Sequence, residues 1–200
     1  MAEHYFSNKP QSKSSPKTWK YKLRSKVYTF TSDVGVFSKN DVDFGSRLLI
    51  ENFSAPGRSG DLLDLGCGYG PIGIAIADAY SERRVVMADI NQRALGLAEQ
   101  NAKQNNVGNV EFVYSDLLSG LQNRSFAAVI TNPPIRAGKK VVHQLFEDAK
   151  EALYANGELW VVIQKKQGAP SAKNKLEELF GETEVVAKDK GYYILKALKI

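Results

Sequence analysis

From Asp61 onward, short apolar runs alternate with longer segments whose apolar residues recur every three or four positions. The short runs, bounded by turn formers, read as buried strands, and the periodic segments read as helices packed against them. The pattern predicts strands at 62–65, 84–88, 110–114, 126–131 and 159–163, with helices at 71–80, 92–105, 138–155 and 171–180. In the third of these helices Val141, Val142, Leu145, Phe146, Ala149 and Leu153 share a face, and Asn156-Gly157 supplies its stop. His143 falls opposite that stripe and reads as a solvated surface residue. Residues 183–187 and 192–198 flank the turn Lys188-Asp189-Lys190-Gly191 and should pair as an antiparallel hairpin. Upstream, the pairs Phe44/Leu48 and Leu49/Phe53 predict a helix from about Asn40 that Pro56 and Gly57 end. Residues 19–30 mix aromatic with basic side chains and read as a strand or hairpin. Strands alternating with helices imply an α/β fold with a mostly parallel sheet covered on both faces. Ligands of such sheets bind beyond the carboxyl ends of the strands, where strand order reverses.

Composition narrows this picture. A chain of 200 residues, 43% hydrophobic and 24% charged, suits one domain, placed here at 31–200. No apolar run approaches the roughly 20 residues that span a bilayer, so no membrane partner is expected and a cytoplasmic location is. Cys67 is the one cysteine and His4 and His143 the two histidines, which leaves no disulfide and no metal site to expect. The net charge of +5 is uneven: residues 1–30 hold seven Lys and Arg against Glu3, so the rest is close to neutral. The chemistry of that segment is a basic arm, partly flexible, suited to a phosphate backbone or simply to keeping the chain soluble.

The ends of the strands carry the chemistry. The first runs into Asp64-Leu65-Gly66-Cys67-Gly68-Tyr69-Gly70-Pro71-Ile72-Gly73, whose glycines allow a tight turn and a close approach to a ligand. Gly68, Gly70 and Gly73 with Asp89 also satisfy the dinucleotide fingerprint, so this loop alone does not separate a nicotinamide dehydrogenase from a methyltransferase. Asp64 tilts the balance toward a methyltransferase, since a carboxylate there suits a cationic amino-acid group and is an awkward neighbour for a pyrophosphate. Asp89, followed by Ile90, is placed for ribose hydroxyls, and Ser115-Asp116 for an adenine amino group. An amino acid, a ribose and an adenine together outline S-adenosylmethionine. The fourth strand ends in Asn132-Pro133-Pro134-Ile135. An amine conjugated to an aromatic ring is a poor nucleophile, and acceptors aimed at its N–H groups localise its lone pair. The Asn132 side-chain carbonyl and the Pro133 backbone carbonyl are candidates for that role, with Pro134 fixing the direction of the latter.

These ordered motifs resemble those of class I amino-methyltransferases. Gly35-Val36-Phe37-Ser38 and Asp43-Phe44-Gly45-Ser46 look more specifically like the small-subunit ribosomal RNA (guanine-N2-)methyltransferases, over roughly residues 28–200. The resemblance implies a Rossmann-like seven-stranded sheet with an antiparallel last strand, S-adenosylmethionine as cofactor, and residues 35–38 lying over it. It implies as substrate the exocyclic amine of a base in RNA, guanine N2 of ribosomal RNA or of a small-subunit particle foremost. Two features depart from the family: its best-known members carry two tandem domains, and the position of Ile135 is often aromatic, to stack on the target base. Phe37 or Tyr28 are candidates to supply that ring. Arg136, Lys139 and Lys140 after the fourth strand, and Lys165 and Lys166 after the fifth, form a candidate RNA-binding rim. Protein glutamine and adenine N6 are the alternative acceptors, and a non-catalytic RNA-binding module is the alternative of another class.

Overall fold

Alternation along the strands decides where every helix goes. In the computed structural model, which describes residues 13–38 and 41–200, side chains of successive strand residues fall into two separate buried clusters. Leu62, Val85, Met87, Ala128, Ile130, Trp160 and Val162 face one side, and Leu63, Val86, Ala88, Val129, Leu159, Val161 and Ile163 the other. A sheet apolar on both faces must be covered on both. Helices α1 (Phe44–Asn52), α2 (Pro71–Ala79) and α3 (Gln92–Gln104) cover the first face, and α4 (Lys139–Ala152) and α5 (Ala169–Phe180) the second.

The seven strands are β3 (Leu62–Leu65), β4 (Val85–Asp89), β5 (Val110–Tyr114), β6 (Phe126–Thr131), β7 (Leu153–Gln164), β8 (Thr183–Asp189) and β9 (Tyr192–Leu198). Their order across the sheet is β5-β4-β3-β6-β7-β9-β8, and β9 runs antiparallel to both of its neighbours. From β3 the chain winds outward through β4 and β5, then returns to β6 on β3's other side. The switch point therefore lies at the carboxyl ends of β3 and β6, which end at Leu65 and Thr131 as direct partners.

A separate antiparallel hairpin, β1 (Lys17–Leu23) and β2 (Lys26–Ser32), precedes the sheet. Leu23, Tyr28 and Phe30 are buried in the first core cluster, so this basic segment is docked through its apolar face. Its outer edge is paired by side chains of α3. Asn101 accepts from the Thr31 N–H at 2.8 Å and donates to the Thr31 carbonyl at 2.9 Å. Asn105 does the same for Thr29, at 2.9 and 2.7 Å. Two asparagines one helical turn apart thus stand in for a neighbouring strand.

Several boundaries differ from the sequence reading. Helix α1 starts at Phe44, because the Asp43 carboxylate accepts from the Ser46 N–H and caps it there; Asn40 itself lies outside the described residues. The helix also stops before Pro56, with Phe53 already extended. Helix α4 ends at Ala152, and β7 begins at Leu153, well ahead of the expected 159. Asn156 sits inside that strand at φ 61°, its N–H donating to the Lys199 carbonyl, and acts as an irregularity within the strand. His143 is half-buried, 3.4 Å from the Ser171 hydroxyl in the seam between α4 and α5. The apolar stripe that flanks it is wide enough for α5 to cover it. Of the basic arm at 1–30, residues 1–12 lie outside the described residues.

Candidate active site

At the switch point the β3–α2 loop turns back on itself. Gly66 and Gly68 have φ of 78° and 56°, and a Cβ on either would project into open space. Both line a cavity of about 600 Å³ bounded by this loop, by Asp89, Ile90 and Asn91 after β4, by Ser115–Leu117 after β5 and by Asn132–Pro134 after β6. The loop is held from below by two carboxylates. Asp89 accepts from the Gly68 N–H and the Asn91 N–H, both at 2.8 Å, one on each oxygen. Asp64 is fully buried and accepts from the Gly73 N–H at 2.7 Å, while its other oxygen has no partner. Burial pushes the Asp64 carboxyl up to about 7, with the nearby Asp89 adding to the rise and the Gly73 bond opposing it. Burial likewise raises Asp89, against the bonds it accepts.

The fourth wall is the end of β6. Asn132 donates its side-chain amide to Asp43 Oδ2 at 3.1 Å and to Ser46 Oγ at 3.0 Å. A carboxylate can only accept, so the nitrogen must face it and Asn132 Oδ1 stays free to accept; Asp43, Ser46 and Asn132 all line the cavity. The N-terminus of α1, fixed by the Asp43 cap, therefore sets the rotamer of a residue 89 positions away. Past Asn132, Pro134 has φ −75° and ψ 76°, an inverse γ-turn closed by the Ile135 N–H on the Pro133 carbonyl at 2.8 Å. The direction of that carbonyl is set by this turn, and one of its lone pairs is used there.

A lid comes from the segment after β2. Val36, Phe37 and Ser38 line the cavity, and Phe37 is 40% exposed. The lid is tied to α3 by the Asn91 amide donating to the Gly35 carbonyl at 2.9 Å and by Arg93 donating to the Val34 carbonyl at 2.7 Å. At its root Asp33 accepts from Ser14 Oγ and the Ser15 N–H, at 2.7 and 2.6 Å.

The comparisons with known proteins agree with this geometry. Residues 27–196 match the family model described as methyltransferase small domain. The chain belongs to that family. It is 58% identical, over the full length of both chains, to the uncharacterized protein YbxB of Bacillus subtilis. It is 33% identical to ribosomal RNA large subunit methyltransferase G of Streptomyces avermitilis, over 84% of this chain and 45% of the relative. In three dimensions it matches a 16S rRNA N2 methyltransferase of T. thermophilus, solved with AdoMet and guanosine. The TM-score is 0.81 at 25% identity, over 96% of this chain and 52% of the other. The chain thus spans about half the length of these two methyltransferases.

Family and fold make the protein an S-adenosylmethionine-dependent methyltransferase, and the cavity fits that cofactor. Its volume suits a nucleoside joined to an amino acid. Gly66 and Gly68 leave a cradle that a side chain would fill, and Asp64 keeps one buried oxygen unpartnered. Of the residues anticipated for the cofactor, Gly66, Cys67, Gly68, Asp89, Ile90, Ser115, Asp116 and Asn132 line the cavity together. Asp64 and Gly70 lie behind the wall. A Cβ on Gly70 would come 2.8 Å from Ile74 and 2.9 Å from Met87, so that glycine serves helix packing. The Ser115 hydroxyl is engaged within its own turn, with the Leu117 carbonyl and the Gly120 N–H, leaving Asp116 as the exposed group on that wall.

In the set anticipated for catalysis and RNA, Pro133, Pro134 and Arg136 line the cavity. Ile135 packs against the second core cluster, while Lys139, Lys140, Lys165 and Lys166 are exposed outside the cavity. Tyr28 is 2% exposed with its hydroxyl on Asp78, which removes it as a stacking ring. The sequence reading did not single out Asn91 as a lid tether. Its position two residues after Asp89, at a helix N-cap, was the available signal.

Proposed function

We propose that this methyltransferase acts on the exocyclic amine of a base in ribosomal RNA, guanine N2 in particular. The observation that carries the proposal is the clamp on Asn132: Asp43 and Ser46, at the start of α1, hold its amide nitrogen and leave Oδ1 free to accept. Oδ1 would accept one N–H of the target amine and the second lone pair of the Pro133 carbonyl would accept the other, which localises the nitrogen lone pair. Because both acceptors are held before the substrate arrives, little reorganisation is left to the reaction. S-adenosylmethionine, when bound, supplies the electrophilic methyl. Asp89 would hold the ribose, Asp116 the adenine side, and Gly66, Cys67 and Gly68 the backbone approach. Asp64 would face the cationic amino-acid end from behind the loop, with its unpartnered oxygen.

The relatives' names support an RNA substrate; Arg136 lines the cavity, and the exposed Lys139, Lys140, Lys165 and Lys166 would add cations for an RNA backbone. Phe37, on the lid and lining the cavity, is the ring placed nearest the site to stack on the base. Among the described residues no helix is long and apolar enough to cross a membrane. An enzyme of ribosomal RNA would work in the cytoplasm. Nucleoside mass spectrometry of ribosomal RNA from cells lacking the gene tests the reading. Loss of N2-methylguanosine at one position is expected, and an unchanged ribosomal RNA would overturn it.

A further inference from the structure

Beside the cavity, on the α1 side, two cations converge on one aromatic ring. The Arg47 guanidinium lies 4.9 Å and the Lys190 ammonium 5.0 Å from the Phe44 ring centroid. Neither cation has a carboxylate within ion-pair distance among the described residues, whereas Lys26, Arg124 and Lys196, which also lie over rings, each pair with an acid. Tyr192 completes the group: its ring is 5.5 Å from Phe44, and it sits on Gly45, where a Cβ would come 2.9 Å from it. The Tyr192 hydroxyl has no hydrogen-bond partner among the described residues.

The placement of this group is given by the same bonds that build the active site. The Cβ position on Gly45 is also 3.0 Å from Asp43 Oδ2, the oxygen that holds Asn132. The Asp43 charge is taken up by the Ser46 N–H and the Asn132 amide. On its far side the β8–β9 turn is joined to β7's end by the Lys165 N–H on the Gly191 carbonyl, at 2.7 Å, which brings Lys165 and Lys166 alongside. Two like charges held on one ring repel each other, and an anion bound between them offsets that repulsion.

We infer that Arg47, Lys190 and the Tyr192 hydroxyl form a binding site for a phosphodiester group of the RNA substrate, next to the nucleotide presented to Asn132. The inference rests on the proposed RNA substrate. Phe44 holds both cations in place before binding, so less side-chain freedom is lost when the phosphate arrives. Lys165 and Lys166 extend the track along the strand.

Filter binding of the full chain to end-labelled small-subunit ribosomal RNA across a salt series tests it. Arg47→Met with Lys190→Asn keeps the packing and suits the left-handed backbone of residue 190. RNA affinity should fall about tenfold, and the slope of log K against log salt should shrink by about 1.5, as for two lost phosphate contacts. Tyr192→Phe should weaken binding about threefold with the slope unchanged. Lys190→Arg should keep the wild-type slope. Calorimetry with S-adenosylmethionine serves as the control that the variants are folded. Wild-type affinity and slope in the double variant would overturn the site. Should the wild type transfer no methyl to this RNA, the proposed function falls, while the slopes still decide whether the cations bind phosphate.

Discussion

At the scale of single residues, the proposed chemistry depends on Asn132 being aimed and not merely present. Asn132→Ala should lower single-turnover methyl transfer about a hundredfold or more while changing cofactor affinity little. Asp89→Ala should show the opposite balance, since one oxygen holds the glycine loop and the other the turn before α3, two walls of the cavity that would hold the cofactor. Calorimetry beside rapid-quench kinetics separates the two, and equal losses in both quantities for Asn132→Ala would remove its role. Asp64 makes a prediction about pH. Its folded-state value of about 7 lies above the ordinary carboxylate value of 3.8, so the folded protein binds the proton more tightly than the unfolded chain. The stability this contributes is fully present below pH 3.8 and is lost as pH rises through about 7, a change of about 4 kcal/mol at most. A bound cation favours the ionised form, so cofactor affinity should rise with pH up to about 7 and then level. Asp64→Asn should flatten both profiles, as urea titrations and calorimetry at several pH values would show. Most of these site residues could be read from the sequence because strand ends in this fold announce themselves by glycine, acid and proline. The partners that aim them could not, because Asp43 and Asn132 meet across 89 positions.

At the scale of elements, the hairpin is the part whose attachment the sequence hides. Its strands were legible as aromatic and basic alternation, but a basic stretch also reads as a solvated tail. Its docking depends on Asn101 and Asn105, which look like ordinary polar positions of a helix until their side chains are seen pairing with β2. Asn101→Ala leaves the buried Thr31 N–H and carbonyl and the Tyr69 carbonyl short of a partner, and should cost about 3 kcal/mol. Urea denaturation checks that figure, and faster amide exchange along β2 would locate the damage. The strands of the main sheet were readable to within a residue or so wherever both faces are buried, because no other element explains such runs. The exception is the start of β7. There Leu153–Asn156 continues a helical pattern in sequence, and the irregular pairing with β6 and the bond to Lys199 set the boundary instead.

For the whole molecule, charge and topology work together. The switch point, the lid and the α1 N-terminus all border one cavity, and the loops after β6 and β7 expose Arg136, Lys139, Lys140, Lys165 and Lys166. Binding of the wild-type chain to ribosomal RNA should therefore weaken steeply with salt, and a flat response would mean that these cations do not meet phosphate. The central claim is tested most directly by transfer of a labelled methyl group from S-adenosylmethionine to ribosomal RNA, free and in subunits, followed by nucleoside analysis. Label in N2-methylguanosine, abolished by Asn132→Ala, is the result expected. Label in N6-methyladenosine, or none on any ribosomal RNA from an enzyme that binds its cofactor, would contradict the account.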